Sequence, residues 1–350
     1  MIAKVARHVS IHTFDTSLEQ KVLFSRGSIC KHIQDCTIMK DLVMGRQIYS
    51  IMFVQGLDSD SFIMDHIIRM FSACGSLIDA SESFRQVSNP SIFTWNALVS
   101  AYINLGDHET ALHLFYKMQE TGEVVPDKVS YLSAIKCCSF VGCIKNSRLL
   151  HTQIIRAGLL LDVAVGSSIV DMYCKCGDLP NARKVFNFYH NMDLILWAAQ
   201  LSGYAQHGMY KEAHQAVDKM FCEGLHLNDV CFLGLITACG HEGDVEEGCV
   251  LFLSMTRLYE IRPRLEHYTC IIDMLSRAGR LEEGVCIMEE MSYMPTTEIW
   301  FALLGSCRIH GNLKLAERVS ECIWMLDPEN TSASRLLATT YKRFAGAHLF

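Results

Sequence analysis

The sequence predicts an all-α fold, a right-handed α-solenoid of stacked helix–turn–helix repeats, and three observations carry that expectation. A Gly closes a helix-forming stretch at Gly75, Gly106, Gly142, Gly177, Gly208, Gly243, Gly279 and Gly311, at intervals of 31, 36, 35, 31, 35, 36 and 32 residues. Self-similarity at such a spacing is the mark of a repeat array. Three further positions keep step with that Gly. Four residues before it stand Phe71, Tyr102, Cys138, Tyr173, Tyr204, Cys239, Leu275 and Cys307. Five after it stand Ala80, Ala111, Ser147, Ala182, Ala213, Gly248, Gly284 and Ala316, and twelve after it Val87, Met118, Ile154, Tyr189, Met220, Met255, Met291 and Ile323. Finally, half of the 350 residues are apolar and only 6 are Pro, a composition that suits packed helices and excludes a disordered or collagen-like chain.

Each element follows from that register. The Gly falls where a first helix must stop, because a left-handed cap conformation costs Gly least. A second apolar-periodic run of about 12–14 residues follows. Its small residue lets it approach the first helix, and its Met or Ile closes the seam. The units then fall at 26–60, 61–91, 92–127, 128–162, 163–193, 194–228, 229–264 and 265–297, with Lys40 in the Gly slot of the first, 35 residues before Gly75. One hairpin cannot bury both its faces, so the hairpins stack and leave a concave, ligand-sized surface.

Charge and cysteine content narrow the function. The net charge is −7, and residues 1–241 carry 20 basic against 22 acidic side chains, whereas 242–330 carry 8 against 16. Such a surface does not neutralise many phosphates at once, which argues against a duplex-DNA binder held by bulk electrostatics. No apolar run reaches the roughly 18 residues of a membrane span, so no membrane partner is expected. The 16 cysteines lack metal or redox spacing, since Cys137-Cys138 and Cys174-x-Cys176 are not Cys-x-x-Cys pairs. They read as small reduced core residues, with no cofactor and no metal.

The stretch Ile92-Phe-Thr-Trp-Asn-Ala-Leu-Val-Ser-Ala-Tyr102, then Gly106, Ala111-Leu-His-Leu-Phe-Tyr-Lys-Met118, Gly122 and Pro126-Asp127, resembles the pentatricopeptide repeat. Val170-Asp-Met-Tyr-Cys-Lys-Cys-Gly-Asp178 with Ala182-Arg-Lys-Val-Phe186 looks like the family's short repeat. The alternating intervals resemble the plant PLS subfamily, whose repeats come as ordinary, long and short units. Residues 298–330, with Trp300, Leu303-Leu304 and Leu326-Asp-Pro-Glu-Asn330, look like the family's E motif. Residues 331–350 resemble a truncated second E motif, and 1–25 remain as a leader.

The resemblance implies a site. In this family the fifth and last residues of a unit select one base of single-stranded RNA, whose unstacked bases expose their Watson–Crick edges. Asn96 with Asp127 then implies uracil and Ser167 with Asp193 guanine. The second-position residues Phe93, Ala164 and Ile195 would flank the bases. Thr269 is a further candidate reader, its last-position partner lying at Thr296 or Thr297. Asn228 is another, although its fifth-position partner Ala198 cannot hydrogen-bond a base. Leu132 and Leu233 stand at the fifth position of long units, and Asp65 with Ser91 has no evident base meaning. Taken alone, Asn96 is a polar residue in a first turn and Asp127 a helix N-cap.

Many relatives end in a cytidine deaminase that needs His-x-Glu and Pro-Cys-x-x-Cys. None of Pro90, Pro126, Pro180, Pro263, Pro295 and Pro328 precedes a Cys. No phosphate-binding Gly loop or nucleophile elbow occurs, and His241 and His310 read as solvent-facing, so the sequence encodes no catalytic centre. Lys4 and Arg7, with no acid before Asp15, fit an organellar presequence, mitochondrial before chloroplastic. The resulting expectation is an RNA-binding adaptor that specifies C-to-U editing sites. Its partners would be single-stranded organellar RNA and, through the C-terminal segment, editing-complex proteins that supply the deaminase in trans. The alternatives are an RNA splicing, stability or translation factor, a tetratricopeptide-like protein-binding scaffold, and a decayed gene copy.

Overall fold

A computed structural model describes residues 26–57, 60–189, 193–327, 332 and 335–341. The leader at 1–25 and most of the second E-like segment lie outside the described residues. Eighteen of the α-helices pair into nine hairpins, residues 335–341 are helical as well, and no strand occurs among the described residues. Two compact units divide them at Leu160/Leu161.

The first unit holds α1 (Arg26–Met39), α2 (Leu42–Val54), α3 (Ser61–Ala73), α4 (Leu77–Gln86), α5 (Ile92–Asn104), α6 (His108–Thr121), α7 (Lys128–Val141) and α8 (Ile144–Arg156). The second holds α9 (Val163–Lys175), α10 (Leu179–Phe188), α11 (Leu194–Gln206), α12 (Tyr210–Cys222), α13 (Asp229–Glu242) and α14 (Val245–Arg257), then α15 (Leu265–Arg277), α16 (Leu281–Glu289), α17 (Thr297–His310) and α18 (Leu313–Leu326). Within each unit the first helices of successive hairpins pack against one another, α1 on α3, α3 on α5 and α5 on α7, then α9 on α11 through to α15 on α17. The second helices lie behind, and α2, α4, α6, α10, α12, α14 and α16 are each wedged between their own first helix and that of the next hairpin of the same unit.

The register explains these elements residue by residue. All eight register glycines have positive φ, from 65° at Gly208 to 85° at Gly243, and Lys40 takes the same left-handed conformation with φ 54°. The sequence slot assigned to Lys40 is therefore a backbone slot. The residues five past each Gly are all buried. Of those four before it only Tyr102 is partly exposed, and of those twelve after it only Met291. Cys36, Cys137, Cys138, Cys174, Cys231, Cys239 and Cys307 are buried, and no cysteine is disulfide-bonded.

The alternating interval has a single structural source. The second helices α4, α10 and α16, in the stretches of 31, 31 and 32 residues, are 10, 10 and 9 residues long, against 13 or 14 in the others. The difference is about one helical turn. The longer helices α2, α6, α8 and α12 each run into a second left-handed Gly (Gly56, Gly122, Gly158, Gly224), and Glu260 takes that conformation after α14. The shorter α4 and α10 instead end in extended backbone at Val87 and Tyr189. In both, a Phe of the short helix meets the Trp of the next first helix edge-on, Phe84 on Trp95 and Phe186 on Trp197, with centroids 4.7 Å apart.

Candidate nucleic-acid interface

Six of the first helices begin with a side-chain cap that is also the last residue of the preceding unit. Asp60, Ser91, Asp127, Asp162, Asp193 and Asn228 all accept a hydrogen bond from a backbone amide of the helix they open. Such a cap satisfies one of the orphan N–H groups of the first turn. Reading Asp127 as a cap is therefore correct, and it does not exhaust the residue.

At 92–127 the cap and the fifth residue meet. The Asn96 side-chain amide donates to Asp127 Oδ1 at 3.2 Å. The Ser130 hydroxyl lies 2.8 Å from both Asn96 Oδ1 and Asp127 Oδ1, and the Ser130 amide donates to the same carboxylate oxygen at 2.8 Å. Partial burial pushes the Asp127 carboxyl up, but the bonds from Ser130 and Asn96 outweigh it and hold the group below the ordinary carboxylate value. Asp127 is thus a carboxylate at neutral pH. Asn96 offers two donor and two acceptor sites, of which this network uses one of each. One N–H and one lone pair remain, a donor–acceptor set of the kind a base edge presents.

The other candidates are placed differently. Ser167 is buried and its hydroxyl donates to Ala164 O of its own helix at 3.1 Å, while Asp193 accepts from the Leu196 amide at 2.9 Å. No hydrogen bond joins Ser167 and Asp193 among the described residues. Thr269 likewise bonds back to Leu265 O at 2.9 Å. Thr296 rather than Thr297 occupies its cap position, without a side-chain cap bond. Asn228 caps α13 at Cys231, over a buried Ala198, and lines an open cleft with Asp229, Tyr259, Arg262 and Arg264, in which Arg264 bridges Asp229 at 2.7 Å. His310 is exposed but reaches Arg277 O at 3.1 Å, and His241 is exposed.

The second-position residues stand out on the surface. Phe93, Ala164 and Ile195 are exposed beside the first turn of their helices. Phe62, Val129 and Val230, in the equivalent position of other units, are exposed as well. Within each unit, apolar side chains left in solvent thus recur at one place of the repeat, next to the polar cap positions. Two hydroxyls at the site escaped the sequence reading. Ser130 and Thr94 sit three residues after the caps Asp127 and Ser91 and close reciprocal capping boxes. Burial raises the pKa of Asp65, the fifth residue of the preceding unit, with the nearby Thr94 hydroxyl acting in the opposite sense. The patterns Ser91-x-x-Thr94 and Asp127-x-x-Ser130 were the available signal.

No group of three or more His, Cys, Asp or Glu side chains could hold a metal among the described residues. No described helix is long and apolar enough to cross a membrane.

Comparison with known proteins agrees with this architecture. The PPR repeat family model matches residues 90–139, and the PPR repeat model matches 167–188, 201–225, 230–259 and 266–294. The chloroplastic pentatricopeptide repeat-containing protein CRR2 of Arabidopsis thaliana is 35% identical over 88% of this chain and 47% of its own length. A mitochondrial pentatricopeptide repeat-containing protein of Arabidopsis thaliana is 31% identical over 93% of this chain and 52% of its own. The chain spans about half the length of these curated relatives. Among solved structures, the pentatricopeptide repeat protein PPR10 in complex with an 18-nucleotide psaJ RNA element superposes with a TM-score of 0.66 at 19% identity, over 93% of this chain and 49% of that one. Repeat register, left-handed glycines, stacked hairpins and matched family models agree: the chain is a pentatricopeptide repeat protein of the plant type.

Proposed function

We propose that this chain is a sequence-selective adaptor for single-stranded RNA in a plant organelle, and that it specifies C-to-U editing sites with the deaminase supplied in trans. The observation that carries the RNA reading is the Asn96–Asp127 pair, which brings a neutral amide and a carboxylate together at the fifth and last positions of one unit. The exposed Phe93 and Ile195 support it, because an apolar side chain beside a polar reader suits an unstacked base. PPR10, whose fold this chain shares, was crystallised with RNA. Relatives carry both chloroplastic and mitochondrial names, and of the two organelles our reading takes the mitochondrion.

By repeat order the unit of Asn96 and Asp127 lies two before that of Ser167 and Asp193, so the ligand contains 5′-U-N-G-3′. The near-neutral first 241 residues leave selectivity to base contacts rather than bulk charge, so it survives moderate salt while total affinity falls. Two measurements test this. Selection from a randomised single-stranded RNA pool should enrich that triplet, and a pool left unenriched would sink the RNA reading. Organellar transcript sequencing in a plant lacking the gene should show one lost editing site. A splicing or abundance defect instead would replace editing by another RNA role.

A further inference from the structure

We propose that Ser130 is a positioning residue for base selection by the unit at 92–127, fixing the Asn96 amide in the one orientation that pairs with a base. The inference rests on the base-reading function proposed above. A primary amide can turn its oxygen and nitrogen end for end, and the two orientations present opposite hydrogen-bonding patterns to a ligand. At Asn96 both ends are held. Nδ2 faces the Asp127 carboxylate, which only accepts, at 3.2 Å, and Oδ1 lies 2.8 Å from the Ser130 hydroxyl, whose single proton it shares with Asp127 Oδ1, also at 2.8 Å. Flipping the amide would set its oxygen against the carboxylate, so Asp127 alone biases the choice. Ser130 completes it by supplying the oxygen's donor inside the protein.

Capping uses both ends of Ser130. Its backbone amide donates to Asp127 Oδ1 at 2.8 Å, which any residue at 130 other than Pro keeps, and its hydroxyl accepts from the Asp127 amide at 3.3 Å. Only the hydroxyl reaches 34 residues back to Asn96. Ser130 belongs to the next unit, so the unit that reads a base is tuned by the first turn of its neighbour.

The preceding junction places a hydroxyl at the same point. Thr94, third in its helix, bonds the cap Ser91. Elsewhere the third helical residue is Ile63, Val165, Leu196, Cys231, His267 or Ile299, and no hydroxyl is available. Where it is Leu196, the fifth-position Ser167 turns back to its own helix. At Asn96 the hydroxyl accompanies a fifth residue engaged across the junction, and at Ser167 its absence accompanies one that is not.

The test uses the full chain as wild type, Ser130→Ala, Ser130→Thr and Asn96→Ala, each selected against a pool of single-stranded RNA 14-mers randomised at every position. The wild type should enrich U at one position and G two further on. Ser130→Ala should lower the U enrichment about five- to tenfold, the scale of one hydrogen bond, while G enrichment stays as in wild type and the thermal midpoint falls only by the loss of one capping-box bond. Ser130→Thr should restore both, since Thr keeps the hydroxyl, as Thr94 does at the same capping-box position one unit earlier. Full U preference in Ser130→Ala, lost in Asn96→Ala, would overturn the inference and leave the RNA reading standing. Loss of enrichment at every position together with a lowered midpoint would also overturn it, making Ser130 a folding residue only. A wild-type pool without preference at any position would overturn both.

Discussion

The Asn96 amide and the Asp127 carboxylate are joined by a hydrogen bond of 3.2 Å across 31 residues of sequence, and Asp127 simultaneously caps the helix that begins the next unit. One side chain therefore closes one repeat, opens another and completes a pair of groups suited to a base edge.

Replacing Asn96 by Thr with Asp127 kept should move the preferred base at that position from uracil to guanine. The change in discrimination should be about 1–3 kcal/mol, by analogy with well-made base contacts on DNA. Fluorescence anisotropy with RNAs differing at that one nucleotide reads it directly. Unchanged preference in a folded variant would reduce Asn96 and Asp127 to cap and helix surface.

Acid should weaken this junction only below the ordinary carboxylate range. The Asp127 carboxyl has its folded-state pKa lowered, so its contribution to stability is complete above the ordinary carboxylate value and disappears as pH falls through the folded value. Thermal midpoints of wild type and Asp127→Asn, followed from neutral pH downwards, should converge below the ordinary Asp pKa, because Asn caps a helix without titrating. Parallel curves across that range would show that the carboxylate contributes no linked stability.

Ala182 is fully buried in α10, five residues past Gly177, where that helix packs on α9. Ala182→Phe should overpack the hairpin and cost roughly 1–3 kcal/mol, seen as a lower urea midpoint. A variant as stable as wild type would mean that the small residue of the register has no packing role.

Lys40 holds the left-handed conformation that Gly occupies in the other hairpins, with φ 54°. The strain of a side chain there is about 1 kcal/mol or more, part of which Gly returns through unfolded-chain entropy. Lys40→Gly should therefore raise stability by up to about 1 kcal/mol in equilibrium unfolding, whereas Lys40→Val should lower it.

Most of the fold was legible because a repeat states its constraints many times over. Gly177 alone is a helix stop among several, but eight glycines in step with buried partners at fixed offsets leave one architecture. Even the Lys40 slot was readable, since register outranks residue identity there. The site was legible less evenly. Asn96 and Asp127 were found because the family motif marks them and the fold brings them together. Ser167 and Thr269 sit at the marked positions, yet a short hydroxyl on a helix reaches its own backbone carbonyl more readily than a neighbour. Ser130 was missed because its contact to Asn96 crosses between units, and its sequence pattern reads as capping alone.

The sharing of the last position between two units limits what that position can become. In the proposed reading a residue there opens a helix as well as facing a ligand, and the side chains that cap well are few: Asp, Asn, Ser and Thr. Arg264, which opens α15 by other means and pairs with Asp229, lies outside that set. The vocabulary of this array at its last position is therefore set by helix chemistry before any ligand arrives. New specificity has to come from the fifth position, where the fold imposes no such duty.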